Sequence, residues 1–195
     1  MYKRQDEDGL PSLTADLSGF DPQNHYWQAS GLGNPCPSGG IEFTTDEDGQ
    51  EYLFLSMMDF GMVHSLDGGV SWGGYFDQGA TIPFNKGRNG LAILIDQETN
   101  TIYNSLDEGN NSAAAAVVQS TDFGKTWQFI GGDCEEDGCN NNGMDGDHGV
   151  YVFAIDHSTT ASNRRIWAGT RFGGLYYYQS DTCLLYTSPS PRDKT

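Results

Sequence analysis

One eight-residue pattern occurs twice in this chain and constrains its fold more than any bulk property. Ser65-Leu-Asp67-Gly-Gly69-Val-Ser71-Trp72 and Ser120-Thr-Asp122-Phe-Gly124-Lys-Thr126-Trp127 both read S-x-D-x-G-x-[ST]-W. Each is preceded by a short apolar run, Gly61-Met-Val-His in one copy and Ala116-Val-Val-Gln in the other. The chemistry is that of a turn. The Asp accepts hydrogen bonds from backbone N–H groups left exposed where two strands reverse. The Gly relieves the steric penalty of positive φ, and the hydroxyls tie down the remaining backbone groups. The Trp opens the next strand and places a large apolar ring between sheets. Ser65, Asp67, Gly69 and Trp72, and likewise Ser120, Asp122, Gly124 and Trp127, are therefore read as structural.

Upstream of each box lies a β-like stretch ending in Asp, Ile41 to Asp46 and Leu91 to Asp96. A third unit opens with Val150 to Asp156 and continues through Ile166-Trp-Ala-Gly-Thr to Gly174-Leu-Tyr-Tyr-Tyr. Asp96 precedes Ser120 by 24 residues, and Asp156 precedes Ser180 by the same interval. Short β-rich runs separated by Gly, Asn and Asp turns predict an all-β fold, and internal units of this length are the spacing of four-stranded propeller blades. The expected architecture is an incomplete β-propeller of about two and a half to three blades, with both boxes in equivalent hairpin turns near the rim. A closed propeller needs about four to eight blades, so this set leaves open sheet edges.

The two ends read differently. Cys183 to Asp193 is CLLYTSPSPRD, and the codons for its first six residues match a transposase adapter used in sequencing libraries. The reverse complement of that DNA, in another frame and with GTG as start, encodes Met1 to Gln5. Residues 1–5 and 183–195 are thus read as adapter-derived and expected to pack poorly, with 6–182 as the propeller fragment of a longer gene. The full chain carries 10 basic and 27 acidic residues. Removing Lys3, Arg4, Arg192, Lys194 and Asp193 leaves 6 basic and 26 acidic, a net charge of −20. Such a surface repels nucleic acid and anionic membranes, and no apolar run is long enough to span a bilayer.

The boxes resemble those of the Asp-box, or BNR-repeat, propellers, over most of residues 41 to 180. That group includes sialidases, sortilin-type receptors, photosystem assembly factors and xyloglucanase-type glycoside hydrolases. The resemblance implies a secreted or extracellular protein whose partner is a polysaccharide or an extracellular protein. A sialidase would need an arginine cluster and a Phe-Arg-Ile-Pro-type segment. Outside the adapter-like ends only Arg88, Arg164, Arg165 and Arg171 are present, and Thr81-Ile-Pro83-Phe lacks the Arg, which disfavours that activity. Gly40-Ile-Glu42-Phe-Thr followed by Leu55-Ser-Met-Met-Asp59-Phe-Gly61-Met-Val-His64 resembles a segment of the xyloglucanase-type enzymes. There an Asp-x-Gly Asp is one of two catalytic carboxylates facing each other across the sugar cleft. The resemblance makes Asp59 the catalytic candidate, although Met62 stands where Gly is usual. An inverting hydrolase also needs a second carboxylate about 6.5–9.5 Å away. Two function classes stay open: a secreted hydrolase of β-glucan, and a non-catalytic extracellular propeller, sortilin-like or assembly-factor-like, that binds protein or glycan.

Two further sets stand out. The loop Asp133-Cys134-Glu-Glu-Asp137-Gly-Cys139 through Asp145-Gly-Asp147 concentrates oxygen ligands of the kind Ca²⁺ takes, in a shell of six to eight oxygens. The reading is either a calcium site built on Asp133, Asp137, Asp145 and Asp147, or a solvated acidic loop. In both, Cys134 and Cys139 are close enough in sequence to staple it as a disulfide, leaving Cys36 over. No cofactor is required by either function class. Trp167 and Tyr177 are candidates for a sugar-stacking platform, against the alternative that alternating burial within a blade explains the aromatic run at Tyr176, Tyr177 and Tyr178.

Overall fold

The computed structural model describes residues 36–58, 61–74, 89–107, 115–132, 144, 149–171, 173–179 and 184–187. These form three four-stranded antiparallel sheets. The first contains β1 (Cys36–Thr45), β2 (Glu51–Met58), β3 (Gly61–Ser65) and β4 (Gly73–Gly74). β5 (Asn89–Asp96), β6 (Thr101–Asp107), β7 (Ala115–Ser120) and β8 (Gln128–Gly132) make the second. β9 (Val150–Asp156), β10 (Arg165–Thr170), β11 (Leu175–Gln179) and β12 (Leu184–Thr187) make the third. In each sheet the strands lie side by side in chain order, which is the order of a propeller blade. The only helical element among the described residues is one 3-10 turn at Ala161–Asn163.

Side chains alternate across the strands with period two, so each sheet has two faces. In the first sheet, Ile41, Leu55 and Val63 share one cross-strand row, while Glu42, Phe54 and His64 share a row on the opposite face. The second of these faces packs on the second sheet, where Phe54 and Met62 meet Ile93, Ile95, Ile102 and Val118. The second sheet's other face presents Tyr103, Val117 and Ile130 to Ile166, Ala168, Tyr176 and Tyr178 of the third. Phe54 and Ile102 are wholly buried. Burial of a side chain of this size stabilises by about 1.5–3 kcal/mol, which is why the strand pattern shows as a stack of sheets rather than as isolated hairpins.

Polar groups fix the register between sheets. Thr44 Oγ1 donates to Asn100 Oδ1 at 2.7 Å, and Ser56 Oγ donates to Asn104 Oδ1 at 2.7 Å in a buried setting. Between the second and third sheets, the Val150 N–H donates to Ser105 Oγ at 3.2 Å. Arg164, reaching back from the third sheet, donates through Nε to Asp96 Oδ2 at 2.7 Å. The inner strands also share an irregularity near their start: the pairing register shifts between Pro37 and Ile41 in β1, between Gly90 and Ala92 in β5, and between Val150 and Val152 in β9. Such bulges bend and twist a strand.

Leu184–Thr187 lies in the adapter-like tail, yet it forms β12 and pairs with β11 in register from Tyr176↔Thr187 to Gln179↔Leu184. An open sheet edge offers a row of unpaired N–H and C=O groups, and strand addition there needs only main chain. The edge left by β11 therefore takes up a segment whose sequence carries no blade pattern.

Candidate functional site

Both boxes occupy the same place in their sheets, the turn between the third and fourth strands. In the first, Asp67 Oδ1 accepts from the Ser71 N–H at 2.8 Å and the Val70 N–H at 3.1 Å, and Oδ2 accepts from Ser71 Oγ at 2.6 Å. Ser65 Oγ donates to Asp67 Oδ1 at 2.8 Å and accepts the Gly69 N–H at 2.9 Å. The second box repeats most of this: Asp122 takes the Thr126 N–H at 2.8 Å and Thr126 Oγ1 at 2.6 Å, and Ser120 Oγ donates to Asp122 Oδ1 at 2.8 Å and takes the Gly124 N–H at 2.8 Å. Each Trp closes its own turn as well, with Trp72 Nε1 donating to the Gly69 carbonyl and Trp127 Nε1 to the Gly124 carbonyl, both at 3.0 Å. Gly69 and Gly124 sit at φ of 89° and 81°, where a Cβ is strained. The hydrogen bonds from Ser71 and Ser65 hold the Asp67 carboxyl down at about 2. At Asp122 burial pushes the carboxyl up, but the bonds from Thr126 and Ser120 outweigh it and keep it low. With every oxygen engaged inward, these carboxylates serve the turn.

The three Asp residues that end the inner strands form a second repeated device. Asp46, Asp96 and Asp156 each accept the N–H two residues on through Oδ1, at 3.0, 3.1 and 3.0 Å. These turns join the first and second strands at the same end of the sheets as the boxes.

The opposite end of the sheets carries neither device. There β1, β5 and β9 begin, β2 ends and β3 starts. The Ser38 hydroxyl donates to the Gly90 carbonyl. A Cβ on Gly90 would lie 1.9 Å from the Gly61 carbonyl oxygen, so the first sheet's β2–β3 connection abuts the start of β5. Asp107 ends β6 at this end, half-buried and paired in register with the buried Asn89. A Cβ on Gly149 would sit 3.8 Å from Asp107 Oδ2, and the Arg171 N–H donates to the Gly149 carbonyl at 3.2 Å. The Asp107 carboxylate of the second sheet and the Arg171 main chain that follows β10 thus flank Gly149. Sequence reading missed Asp107: it follows a buried strand but belongs to no motif, and only sheet stacking brings it here.

The catalytic candidate Asp59 lies outside the described residues; Met58 and Gly61, which flank it, are at this end and away from Asp67. Asp133, Asp137, Asp145 and Asp147, with Cys134 and Cys139, lie outside them too, as does Ser180. Among the described residues no three His, Cys, Asp or Glu side chains group to hold a metal ion. Trp167 and Tyr177 do come together, as a cross-strand pair with ring centroids 5.2 Å apart and planes at 58°. The Arg165 guanidinium lies 4.9 Å over the Tyr177 ring. Their row is on the face of the third sheet turned away from the second, not at the end where the inner strands begin. Tyr176 and Tyr178 point the other way and are buried. His64 packs its ring against Phe54. Glu42 shares that inter-sheet face, half-buried, and burial pushes its carboxyl above the usual range.

Three antiparallel sheets of sequentially ordered strands, stacked face to face with matched turns at their outer hairpins, define an all-β protein of propeller type. The chain is similar in structure to the crystallised GH74 xyloglucanase from Xanthomonas campestris, with 16% sequence identity and a TM-score of 0.48. The match covers 80% of this chain and 23% of that one, so the chain spans about a quarter of the enzyme's length. No protein-family model and no curated protein matches the sequence. No helix among the described residues is long and apolar enough to cross a membrane.

Proposed function

We propose that this chain belongs to a secreted propeller that hydrolyses a β-glucan-type polysaccharide, with Asp59 and Asp107 as its two carboxylates. One observation carries the pairing. The buried Ser56–Asn104 hydrogen bond, 2.7 Å long, sets β2 of the first sheet against β6 of the second. Three residues beyond Ser56 in the sequence comes Asp59, and three beyond Asn104 comes Asp107, which ends β6. The close approach of Gly90 to Gly61 holds the first and second sheets together at this end. In such a pair one carboxyl protonates the glycosidic oxygen while the other takes a proton from the attacking water. Sequence resemblance supports the role of Asp59, and the contact between β2 and β6 supports Asp107 as its partner.

The test is hydrolysis of xyloglucan and β-1,4-glucan oligosaccharides, followed by reducing-end release. Asp59→Asn and Asp107→Asn should each lower kcat by about 10²–10⁴, the usual contribution of a positioned acid or base, with the circular dichroism spectrum unchanged. Asp67→Asn should lower stability while leaving turnover per folded molecule intact. Full activity in Asp59→Asn ends the hydrolase reading in favour of a binding propeller. Full activity in Asp107→Asn alone removes only the partner assignment.

A further inference from the structure

We infer that Glu42 makes the seam between the first and second sheets an acid-strengthened joint, tight while its carboxyl carries a proton and looser once the proton leaves. The inference rests on the fold and not on the hydrolase reading. Strand β1 is held to the second sheet on both sides of Glu42. On one side the Ser38 hydroxyl donates to the Gly90 carbonyl, and a Cβ on Gly39 would lie 2.4 Å from the Leu91 carbonyl oxygen. On the other, Gln97 Nε2 donates to the Phe43 carbonyl at 2.7 Å, and Thr44 Oγ1 donates to Asn100 Oδ1 at 2.7 Å. Glu42 lies between these contacts, half-buried, on the face turned to the second sheet and in register with the wholly buried Phe54. Its strand cannot draw back from the second sheet unless they break.

The side chains that line this seam are mostly apolar. The first sheet contributes Phe54 and Met62, and the second contributes Ile93 and Ile95 of β5 with Ile102 and Leu106 of β6. The other titratable groups on it are Tyr52 of β2, whose hydroxyl donates to Asp46, and His64 of β3, which lies beyond Phe54 in the same row. Asp96, which ends β5, turns instead to Arg164 of the third sheet. Glu42 takes no hydrogen bond and meets no cation among the described residues, so burial alone acts on its carboxyl and pushes it above the usual range. An ionised carboxylate in that position has shed water without gaining a partner, whereas the acid form loses much less. The second sheet shows the alternative within the same molecule. Glu42 stands four residues before Asp46, and four before Asp96 stands Ala92, a buried residue with nothing to titrate.

Urea unfolding of the intact chain between about pH 4.5 and pH 7 tests this. A carboxyl raised by folding binds its proton more tightly in the folded state. Its contribution is therefore full below the unfolded value, about 4.3, and is lost as pH rises through the folded one. The parent's urea midpoint should fall over this range by more than that of Glu42→Gln, which keeps the shape and carries no charge. At pH 7 the variant should be the more stable protein, with amide exchange slowed more in β1 and β5 than in β10. Glu42→Ala, which carries the second sheet's residue and buries no amide, should show the same shallow profile. His64 is present in all three proteins, so its titration drops out of the comparison. Equal falls in the parent and both variants would overturn the inference, because the proton on Glu42 would then not act on stability. Two variants less stable than the parent at pH 7 would overturn it as well, since the ionised carboxylate would then have a partner. Exchange slowed as much in β10 as in β1 and β5 would overturn the placing of the effect in this seam.

Discussion

Replacing Arg164 by methionine probes what holds the second and third sheets in register. Arg164 and Asp96 are 2% and 1% exposed. The guanidinium donates through Nε to Asp96 at 2.7 Å, through Nη1 to the Thr159 carbonyl at 2.7 Å, and through Nη2 to Glu98. Glu98 is largely in solvent, so that contact adds little. Methionine keeps most of the apolar stem but leaves the Asp96 carboxylate buried, with the Glu98 N–H as its remaining hydrogen bond among the described contacts. Removing one partner of a buried pair costs about 3–5 kcal/mol, whereas removing both charges together is close to neutral. In a domain of this size each kcal/mol moves Tm by about 2–4 °C, so Arg164→Met should lower Tm by roughly 6–20 °C. Asp96→Asn removes the stranded charge while Oδ1 still accepts from Glu98, so the double variant should regain at least half of the loss. Differential scanning calorimetry of the four proteins reads this directly. A single variant within about 1 kcal/mol of the parent, or a double variant no better than Arg164→Met, would refute the reasoning, because either result means Asp96 is not left charged and dry.

The box carboxylates predict acid tolerance with a definite sign. Asp67 is held at about 2, against about 3.9 for an unstructured Asp, so its stabilisation is present above about pH 4 and is lost as pH falls through 2. Asp67→Asn should therefore flatten the fall in urea midpoint between pH 4 and 2; an unchanged fall would show the bonds do not act on stability. Gly90→Ala puts a Cβ 1.9 Å from the Gly61 carbonyl oxygen, against backbone that cannot swing aside, and should destabilise more than Gly49→Ala, whose Cβ meets nothing within 4 Å and costs only the strain of a φ of 81°. Both are read by thermal denaturation, and equal losses would argue against a tight junction between the sheets. Ser56→Ala strands the Asn104 side chain in the core and should cost about 1–3 kcal/mol in urea unfolding, with a loss near zero showing that Asn104 finds another partner.

Much of the fold is legible in the chain because its signals are local. The bonds of a box run within residues 65–72 or 120–127, so residue type and spacing determine the turn before any sheet forms. The same is true of Asp46, Asp96 and Asp156, whose carboxylates reach an N–H only two residues away. Period-two alternation likewise marks Tyr176 and Tyr178 as facing opposite to Tyr177. The site is a different matter. Ser56 meets Asn104 across 48 residues, and Arg164 meets Asp96 across 68, and no local pattern encodes such pairings. Asp107 gains its place beside Gly149 only because one sheet stacks on the next. Trp72 and Trp127 carry the same motif, yet one is buried and the other half-buried, since burial depends on which sheet lies above. Even β12 follows this rule: its residues carry no blade pattern, and an open edge of main-chain donors and acceptors is what makes it a strand. Sequence by itself determined the turns and the alternation, because those energies act between near neighbours. Tertiary structure decided the faces and the partners, because those energies exist only after distant strands have been brought into contact.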